Sequence, residues 1–231
     1  MKTIGMIGGM SWESSAVYYQ LINQKVRERL GGTFSAKSLM YSVEFNEIER
    51  LQHEGNWDKL TDIMIEAAQN VEKGGADFII ICTNTMHKMA PQMAEKIAIP
   101  ILHIVDATAE KIKEKKLKKI GLLGTNFTMT QAFYKDRLII NHGLEVIVPD
   151  EKDRQIIHNI IYKELIVGKI KASSRKQYET IIEKLQREGA EGVILGCTEI
   201  PLLIQQENSP IPIFDTTKIH AERAVEMALS D

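Results

Sequence analysis

Short apolar runs alternate with longer amphipathic segments along the first part of the chain. Residues 2–8, KTIGMIG, are mostly apolar, which is typical of a buried strand. In residues 12–30 the apolar positions recur at helical spacing, and one face carries Tyr18, Leu21, Ile22 and Val26. The pair Gly31-Gly32 follows directly and predicts the end of this helix.

The same alternation continues further along the chain. Apolar runs predict strands over residues 38–45, 76–82 and 99–104, and helical periodicity predicts helices over 57–73 and 86–97. The run that ends at residue 82 is continuous in isoleucine, as in strands that are buried on both faces. This order of elements predicts an α/β fold in which helices cover both faces of a mostly parallel sheet.

The pattern then repeats itself. Residues 2–10 resemble residues 118–126 at an offset of 116, and residues 75–85 resemble 189–199 at an offset of 114. The tripeptide IPI recurs at an offset of 112. Three matches in the same order, with offsets that drift by two, indicate an internal duplication.

The duplication predicts two pseudo-symmetric, Rossmann-like halves. We expect residues 1–100 to form the first half, together with a C-terminal helix over 215–231, and residues 101–214 to form the second. In parallel sheets, ligands bind beyond the carboxyl ends of the strands. Equivalent loops of the two halves would face each other, so we expect the active site in the cleft between the halves.

The repeat also predicts different roles for the two cysteines of the chain, Cys82 and Cys197. The offset of 114 aligns Thr83 with Cys197 and aligns Cys82 with Gly196, at the end of a buried strand. Cys82 is therefore predicted to pack as a small apolar side chain. Thr83 and Cys197 become the equivalent residues at the two strand ends.

A thiol where a strand ends and a helix begins is a candidate acid–base group. Backbone N–H groups at a helix N-terminus lower a thiol's pKa, so we expect Cys197 to form thiolate near neutral pH. A threonine hydroxyl such as that of Thr83 can donate or relay a proton but is a poor base. His87, one helical turn beyond Thr83, is an alternative partner for Cys197, although spacing places no Asn or Asp as a third member.

The loops after these strands offer donors for a carboxylate. Asn84, Thr85 and Thr198 lie beside backbone N–H groups at predicted helix starts, where they could bind a carboxylate, cap the helix, or do both. Glu199 could accept from a substrate ammonium or be an ordinary acidic residue of a first helical turn. The glycine loop over residues 4–15 reads GMIGG at positions 5–9 and so lacks the G-x-G-x-x-G pattern of a dinucleotide site. A dinucleotide site is therefore disfavoured, and a tight turn with Ser11 as helix cap is favoured.

Composition excludes several classes of protein. The 231 residues carry a net charge of −2 and 44% apolar residues, which is ordinary for a soluble globular protein. The basic run over residues 111–119 has no interleaved aromatic residues, so no nucleic-acid partner is expected. The sequence shows neither a signal peptide nor a membrane-length apolar run, and two cysteines do not form a disulfide framework, so we expect a cytoplasmic protein without a membrane partner. No metal-ligand spacing or P-loop is found, so no cofactor or metal is expected.

Three segments, MIGGMSWESS, CTNTMH and GCTEIP, together resemble the aspartate/glutamate racemase family over essentially the whole chain. In the third segment Glu199 follows Thr198, and in this respect the chain resembles the aspartate-racemase branch of the family. The resemblance implies two α/β halves, no pyridoxal phosphate or other cofactor, a homodimer, and two thiols on opposite faces of the substrate Cα. The first family thiol usually lies in a Cys-Asn-Thr motif, which here begins with Thr83.

The resemblance therefore implies catalytic roles for Thr83 and Cys197, with Cys197 serving the L enantiomer. It places Met10, in the glycine loop, and the donors Asn84, Thr85, Thr198 and Glu199 near the substrate. Candidates for the substrate side chain are Gln52, in a predicted loop, and Lys163 or Glu164, in a predicted helix. A carboxylate at Glu164 would suit neutral or cationic side chains better than aspartate.

The expected function is a cofactor-independent amino-acid racemase, an isomerase, most simply one for aspartate or glutamate. A broad-specificity amino-acid racemase remains an alternative. A decarboxylase or a diacid isomerase of the same superfamily needs only one protonating thiol, so Cys197 alone would serve it. A non-catalytic amino-acid-binding protein, which kept the fold and lost a thiol, is the alternative from a different class.

Overall fold

The computed structural model describes residues 1–230 and contains two compact units. The first comprises Met1–Ile104 and the chain from His220 onward, and the second comprises Val105–Ile219. Each unit contains one parallel sheet with helices packed on it, as the alternation of apolar runs predicts. None of the helices in the described part of the chain is long and apolar enough to span a membrane.

The first unit is built on a three-stranded parallel sheet in the order β2-β1-β3. Its strands are β1 (Ile4–Gly8), β2 (Ser38–Ser42) and β3 (Phe78–Ile81). Its first helices are α1 (Trp12–Leu30), α2 (Phe45–Glu54), α3 (Trp57–Lys73) and α4 (Ala90–Ala94). Helix α1 ends at the predicted Gly31, and α3 likewise ends at a glycine, Gly74. Ser11 caps α1 by accepting from the backbone N–H of Ser14.

The second unit is built on a four-stranded parallel sheet in the order β5-β4-β6-β7. Its strands are β4 (Lys119–Gly124), β5 (Glu145–Ile147), β6 (Gly192–Gly196) and β7 (Ile213–Asp215). Its helices are α5 (Ile104–Glu114), α6 (Asn126–Thr130), α7 (Ala132–Asp136), α8 (Glu151–Ile160) and α9 (Ala172–Arg187). The last helix, α10 (Thr216–Leu229), begins in this unit and continues into the first.

The sheet of the first unit separates two hydrophobic cores. Alternate residues of a strand point to opposite faces, so Met6 packs with Ile80 in one core, while Ile7 packs with Ile81 in the other. The first of these cores includes Val225 and neighbouring residues of α10. Cys82 belongs to the same core and is fully buried, as the repeat predicts.

Three predicted elements differ from the structure. Residues 99–104 do not form a strand: Ile101 makes only an isolated bridge to Ile79, and Ile104 already begins α5. The predicted strand over 38–45 stops at Ser42, because the Glu44 carboxylate caps α2 by accepting from two backbone N–H groups. The predicted helix over 86–97 is a 3₁₀ segment followed by the short helix α4, which has Pro91 in its first turn.

Candidate active site

The sequence-predicted catalytic residues lie directly beyond the carboxyl ends of equivalent strands. In the first unit β3 runs beside β1, with Ile81 opposite Ile7, and Thr83 follows two residues later. In the second unit β6 runs beside β4, with Gly196 opposite Gly124, and Cys197 follows at once. Such strand ends are where parallel sheets place their ligands.

A pair of glycines fixes the path of the chain before Cys197. A side chain at Gly196 would place its Cβ 2.9 Å from the carbonyl oxygen of Leu123 and 3.2 Å from a methyl group of Thr128. A side chain at Gly124 would approach the carbonyl oxygen of Gly196 to 3.0 Å. Only glycine lets β4 and β6 meet Thr128 this closely, so these residues determine where the thiol emerges from the sheet.

The thiol of Cys197 is engaged by a carboxylate. Its Sγ donates a hydrogen bond to Oε2 of Glu199 over 2.9 Å, and the hydroxyl of Thr198 donates to the same oxygen over 2.8 Å. All three side chains are half-buried. The structure thus brings together three of the predicted site residues of the second unit around one carboxylate oxygen.

The expectation that Cys197 has a lowered pKa is wrong. Loss of solvation raises the pKa of the Cys197 thiol well above its usual range, and the negative charge and hydrogen bond of Glu199 raise it further. Nearby backbone N–H groups act in the opposite direction but with smaller effect. The helix that follows is also only the 3₁₀ turn Ile200–Leu202, which has a much smaller dipole than an α-helix. The resting group is therefore a thiol bonded to a carboxylate.

In the first unit, Thr83 is half-buried and is followed by the buried residues Asn84 and Thr85. The 3₁₀ segment Thr85–Met89 starts there, so its first backbone N–H groups lie next to these side chains. The glycine-loop residue Met10 is buried in the same core as Met86. The loop of β1 and the loop of β3 thus pack together at one edge of the sheet.

His87 supports the backbone of Thr83 instead of acting as a base. The N–H of Ile104 donates to His87 Nε2 over 3.2 Å, so the proton of the neutral ring lies on Nδ1 and is donated to the Thr83 carbonyl over 2.8 Å. Burial lowers the pKa of His87 well below its usual value, and nearby His103 and His220 lower it further. Both ring nitrogens are occupied and the side chain is buried, so the alternative pairing of His87 with Cys197 is not supported.

Gln52 lies in helix α2 and not in a loop as predicted. It is buried, and its Nε2 donates to the sulfur of Met86 over 3.2 Å. The misplacement has the same cause as the shortened second strand, since α2 begins at Phe45. Gln52 nevertheless packs against the 3₁₀ segment that follows Thr83, within the first unit.

Glu164 lies in the π-helical segment Ile161–Leu165 of the second unit. Its carboxylate accepts from the hydroxyl of Ser174 over 2.6 Å and from Nζ of Lys171 over 3.0 Å. The hydrogen bond from Ser174, followed by the hydrogen bond and the positive charge of Lys171, lowers the pKa of Glu164. These three residues and Lys163 line a surface cavity of about 310 Å³.

Sequence reasoning missed Tyr178. This residue lies on the buried face of α9 and belongs to the hydrophobic core against which Cys197 packs. Its spacing is that of any core residue of an amphipathic helix, so the pattern alone gives no signal of a further role.

These features place a thiol and a carboxylate in hydrogen-bond contact at a strand end of a parallel α/β unit. Comparison with known families identifies the class: the chain belongs to the Asp/Glu/hydantoin racemase family, whose model matches residues 7–224. The resemblance seen in the three sequence segments is thereby confirmed. The relatives described next are named as racemases or racemase homologues, and racemases are isomerases.

Individual relatives agree with this family. A solved structure from Yersinia pestis, described as a candidate Asp/Glu racemase, is 50% identical, covers 100% of both chains and has a TM-score of 0.95. An aspartate racemase homologue from Pyrococcus horikoshii is 36% identical over 100% of both chains, with a TM-score of 0.88. The broad specificity amino-acid racemase RacX of Bacillus subtilis is 25% identical over 98% of each chain.

Proposed function

We propose that this protein is a cofactor-independent amino-acid racemase that inverts the Cα of aspartate or glutamate. Cys197 and Thr83 act on opposite faces of that carbon. The observation that carries the proposal is the hydrogen bond of 2.9 Å between Cys197 Sγ and Glu199 Oε2, which gives the thiol an internal proton acceptor. The likeness to structures described as Asp/Glu and aspartate racemases supports the substrate class.

The proposed reaction moves protons only. Glu199 takes the proton of the Cys197 thiol, and the thiolate then removes the Cα proton of the L substrate. The resulting carbanion takes a proton on its other face from the Thr83 hydroxyl, which is refilled from water. Glu199 then releases its proton to solvent before the next cycle begins. That proton neutralises the hydroxide left when water refills the Thr83 hydroxyl, so charge and protons balance over the turnover.

Binding groups follow from the same strand ends. The side chains of Asn84, Thr85 and Thr198 and the backbone of the loop at Met10 are proposed to hold the α-carboxylate and the ammonium group. Neutral donors of this kind, beside backbone N–H groups, bind a carboxylate without pyridoxal phosphate or a metal ion. Gln52 is proposed to contact the substrate side chain. A cytoplasmic homodimer remains the proposed form of the enzyme.

A broad-specificity racemase is the second candidate, and Glu164 favours it. A carboxylate that already binds an ammonium group, that of Lys171, provides a site that a cationic substrate side chain could share. The same carboxylate would repel the distal carboxylate of aspartate. The Bacillus subtilis relative named for broad specificity is consistent with this candidate.

Proton exchange measured by NMR in deuterium oxide tests these functions together. Purified protein is incubated with L and D forms of aspartate, glutamate, lysine and homoserine, and the Cα proton signal and the enantiomer ratio are followed. Exchange with racemisation of aspartate or glutamate supports the first candidate, and exchange of lysine or homoserine supports the second. Release of carbon dioxide would indicate a decarboxylase, and saturable binding without exchange would indicate a binding protein; either result would contradict the proposal.

A further inference from the structure

The hydroxyl of Tyr178 is buried in the hydrophobic core against which Cys197 packs. Tyr178 is fully buried, and among the described residues its hydroxyl has no hydrogen-bond partner. Tyrosine hydroxyls that are buried usually have a partner, because an unpaired donor loses its bond to water without replacement. A buried hydroxyl of this kind either forms a hydrogen bond in another state of the protein or lowers the stability of the fold.

The surroundings of this hydroxyl are acidic. Burial raises the pKa of Tyr178 well above its usual value, and negative charge at Cys197, Glu164 and Glu199 raises it further, in that order. Among these three groups Cys197 has the largest effect. Cys197 also packs against the hydrophobic core that contains Tyr178, so the phenol and the thiol lie in the same region of the second unit.

A phenol in this position stabilises the ionised form of Cys197 much more than the neutral thiol. In the resting state the Cys197 thiol is neutral and donates a hydrogen bond to Glu199. A further hydrogen bond donated to its sulfur would therefore stabilise it little. Once the proton has moved to Glu199, the sulfur carries a full negative charge in a poorly solvated place. Hydrogen bonds to an ionised acceptor are much stronger than those between neutral groups. Because the phenol holds its own proton firmly, it can donate that bond without losing the proton.

We infer that Tyr178 is a positioning residue for the proposed reaction: its phenolic O–H donates a hydrogen bond to the Cys197 sulfur when the thiol is deprotonated. The inference rests on the proposed function for its purpose, but the bond itself requires only thiolate. Tyr178 does not exchange a proton with the substrate. It stabilises the form of Cys197 that removes the Cα proton.

The test is the pH dependence of Cys197 alkylation by iodoacetamide, in a Cys82→Ala background so that one thiol remains. In Tyr178→Phe, which removes only the hydroxyl oxygen, the apparent pKa of Cys197 should rise by about one unit, equivalent to a tenfold loss of thiolate. Racemisation should slow by a similar factor, while the melting temperature is unchanged or higher, since an unpaired buried hydroxyl is removed.

The matched control is Tyr134→Phe, which removes another fully buried tyrosine hydroxyl of the same unit. Its alkylation profile should coincide with that of the parent. An alkylation profile of Tyr178→Phe that is unchanged, or shifted to lower pH, would overturn the inference. Because alkylation does not depend on turnover, a parent protein that fails to racemise any amino acid would contradict the proposed function and still leave the role of Tyr178 measurable.

Discussion

The Cys197 sulfur donates a hydrogen bond of 2.9 Å to Oε2 of Glu199, two residues along the chain. A thiol that donates to a carboxylate keeps its proton, so the resting enzyme holds Cys197 as a thiol with its acceptor in place. In the proposed mechanism, activation is a short proton transfer from Cys197 to Glu199, two side chains of the same loop, and this transfer forms the thiolate. This arrangement differs from a cysteine that is ionised by a helix dipole.

Replacing Glu199 by Gln should lower the pKa of Cys197 and yet slow racemisation. The neutral amide removes the negative charge that raises the pKa of Cys197, so thiolate should form at lower pH and alkylation at neutral pH should be faster. Turnover should nevertheless fall by about 10²-fold or more, because the proton acceptor is lost. Parallel measurement of iodoacetamide alkylation and of racemisation checks both parts.

The control for this variant is Glu188→Gln, which changes an exposed glutamate of the same unit in the same way. It should alter neither rate. A Glu199→Gln protein that racemises at the parental rate would exclude Glu199 as the proton acceptor.

Replacing Cys197 by Ser should abolish most of the turnover. A serine hydroxyl does not ionise near neutral pH, so it cannot remove the Cα proton even with Glu199 beside it. Turnover is expected to drop by several orders of magnitude, while binding of the amino acid, measured by calorimetry, is retained. Activity close to that of the parent would mean that another group removes the proton.

Replacing Cys82 by Ala should affect stability and not chemistry. Cys82 lies in the core beneath α1 and α10, and burial raises its thiol pKa far above neutral pH. Loss of the sulfur leaves a small cavity, with an expected cost of about 1 kcal/mol in the free energy of unfolding. Urea denaturation and racemisation assays check this. A folded Cys82→Ala protein with strongly reduced turnover would show that the repeat assigns the wrong residue of the Cys82–Thr83 pair.

The sequence allowed prediction of those features that depend on local pattern. The helix over residues 12–30 matches α1 because its apolar spacing and its terminal glycine agree. The failed strand over 99–104 has apolar residues at strand-like positions, but Pro100 cannot donate a ladder hydrogen bond and Ile104 turns into α5. Tertiary contacts decided the outcome there.

In the candidate site, too, the sequence predicts some features, whereas others depend on tertiary contacts. Internal repetition locates Thr83 and Cys197 at strand ends, and the structure has both there. The raised pKa of Cys197 could not be predicted, because it depends on the rotamer that brings the Glu199 carboxylate onto the sulfur. Tyr178 could not be predicted either, since it is distant in sequence and reaches the thiol region only through the packing of α9.

Because His87 and His220 are buried, we predict that the protein becomes less stable in mild acid. Burial lowers the pKa of His220 to about 4, and its ring is held by Tyr18 and by the carbonyl of Leu102. The pKa of His87 is lowered as well. An unfolded chain binds protons at these residues below about pH 6.5 whereas the folded protein does not, so stability is full above that pH and is lost as pH falls.

The loss attributable to His220 should approach about 3 kcal/mol as pH falls from 6.5 to its folded-state pKa of about 4. Urea denaturation between pH 7.5 and 4.5 measures the slope. His220→Asn should be less stable at neutral pH but show a shallower slope, whereas His53→Asn, at an exposed histidine, should keep the parental slope. A parental stability that is constant or increases towards pH 4.5 would contradict the neutral assignment of these rings.

The central claim is that Cys197 and Thr83 serve opposite faces of one Cα. The most direct test is the rate at which each enantiomer of aspartate exchanges its Cα proton in deuterium oxide, measured for the parent and for Thr83→Cys. The proposal predicts fast exchange from the L form, where the thiol and Glu199 act as base, and much slower exchange from the D form, whose proton faces a hydroxyl. Thr83→Cys should accelerate D exchange and leave L exchange nearly unchanged, with the equilibrium ratio of enantiomers unaltered. Equal rates from both enantiomers in the parent, or no gain for the D form in Thr83→Cys, would contradict the claim.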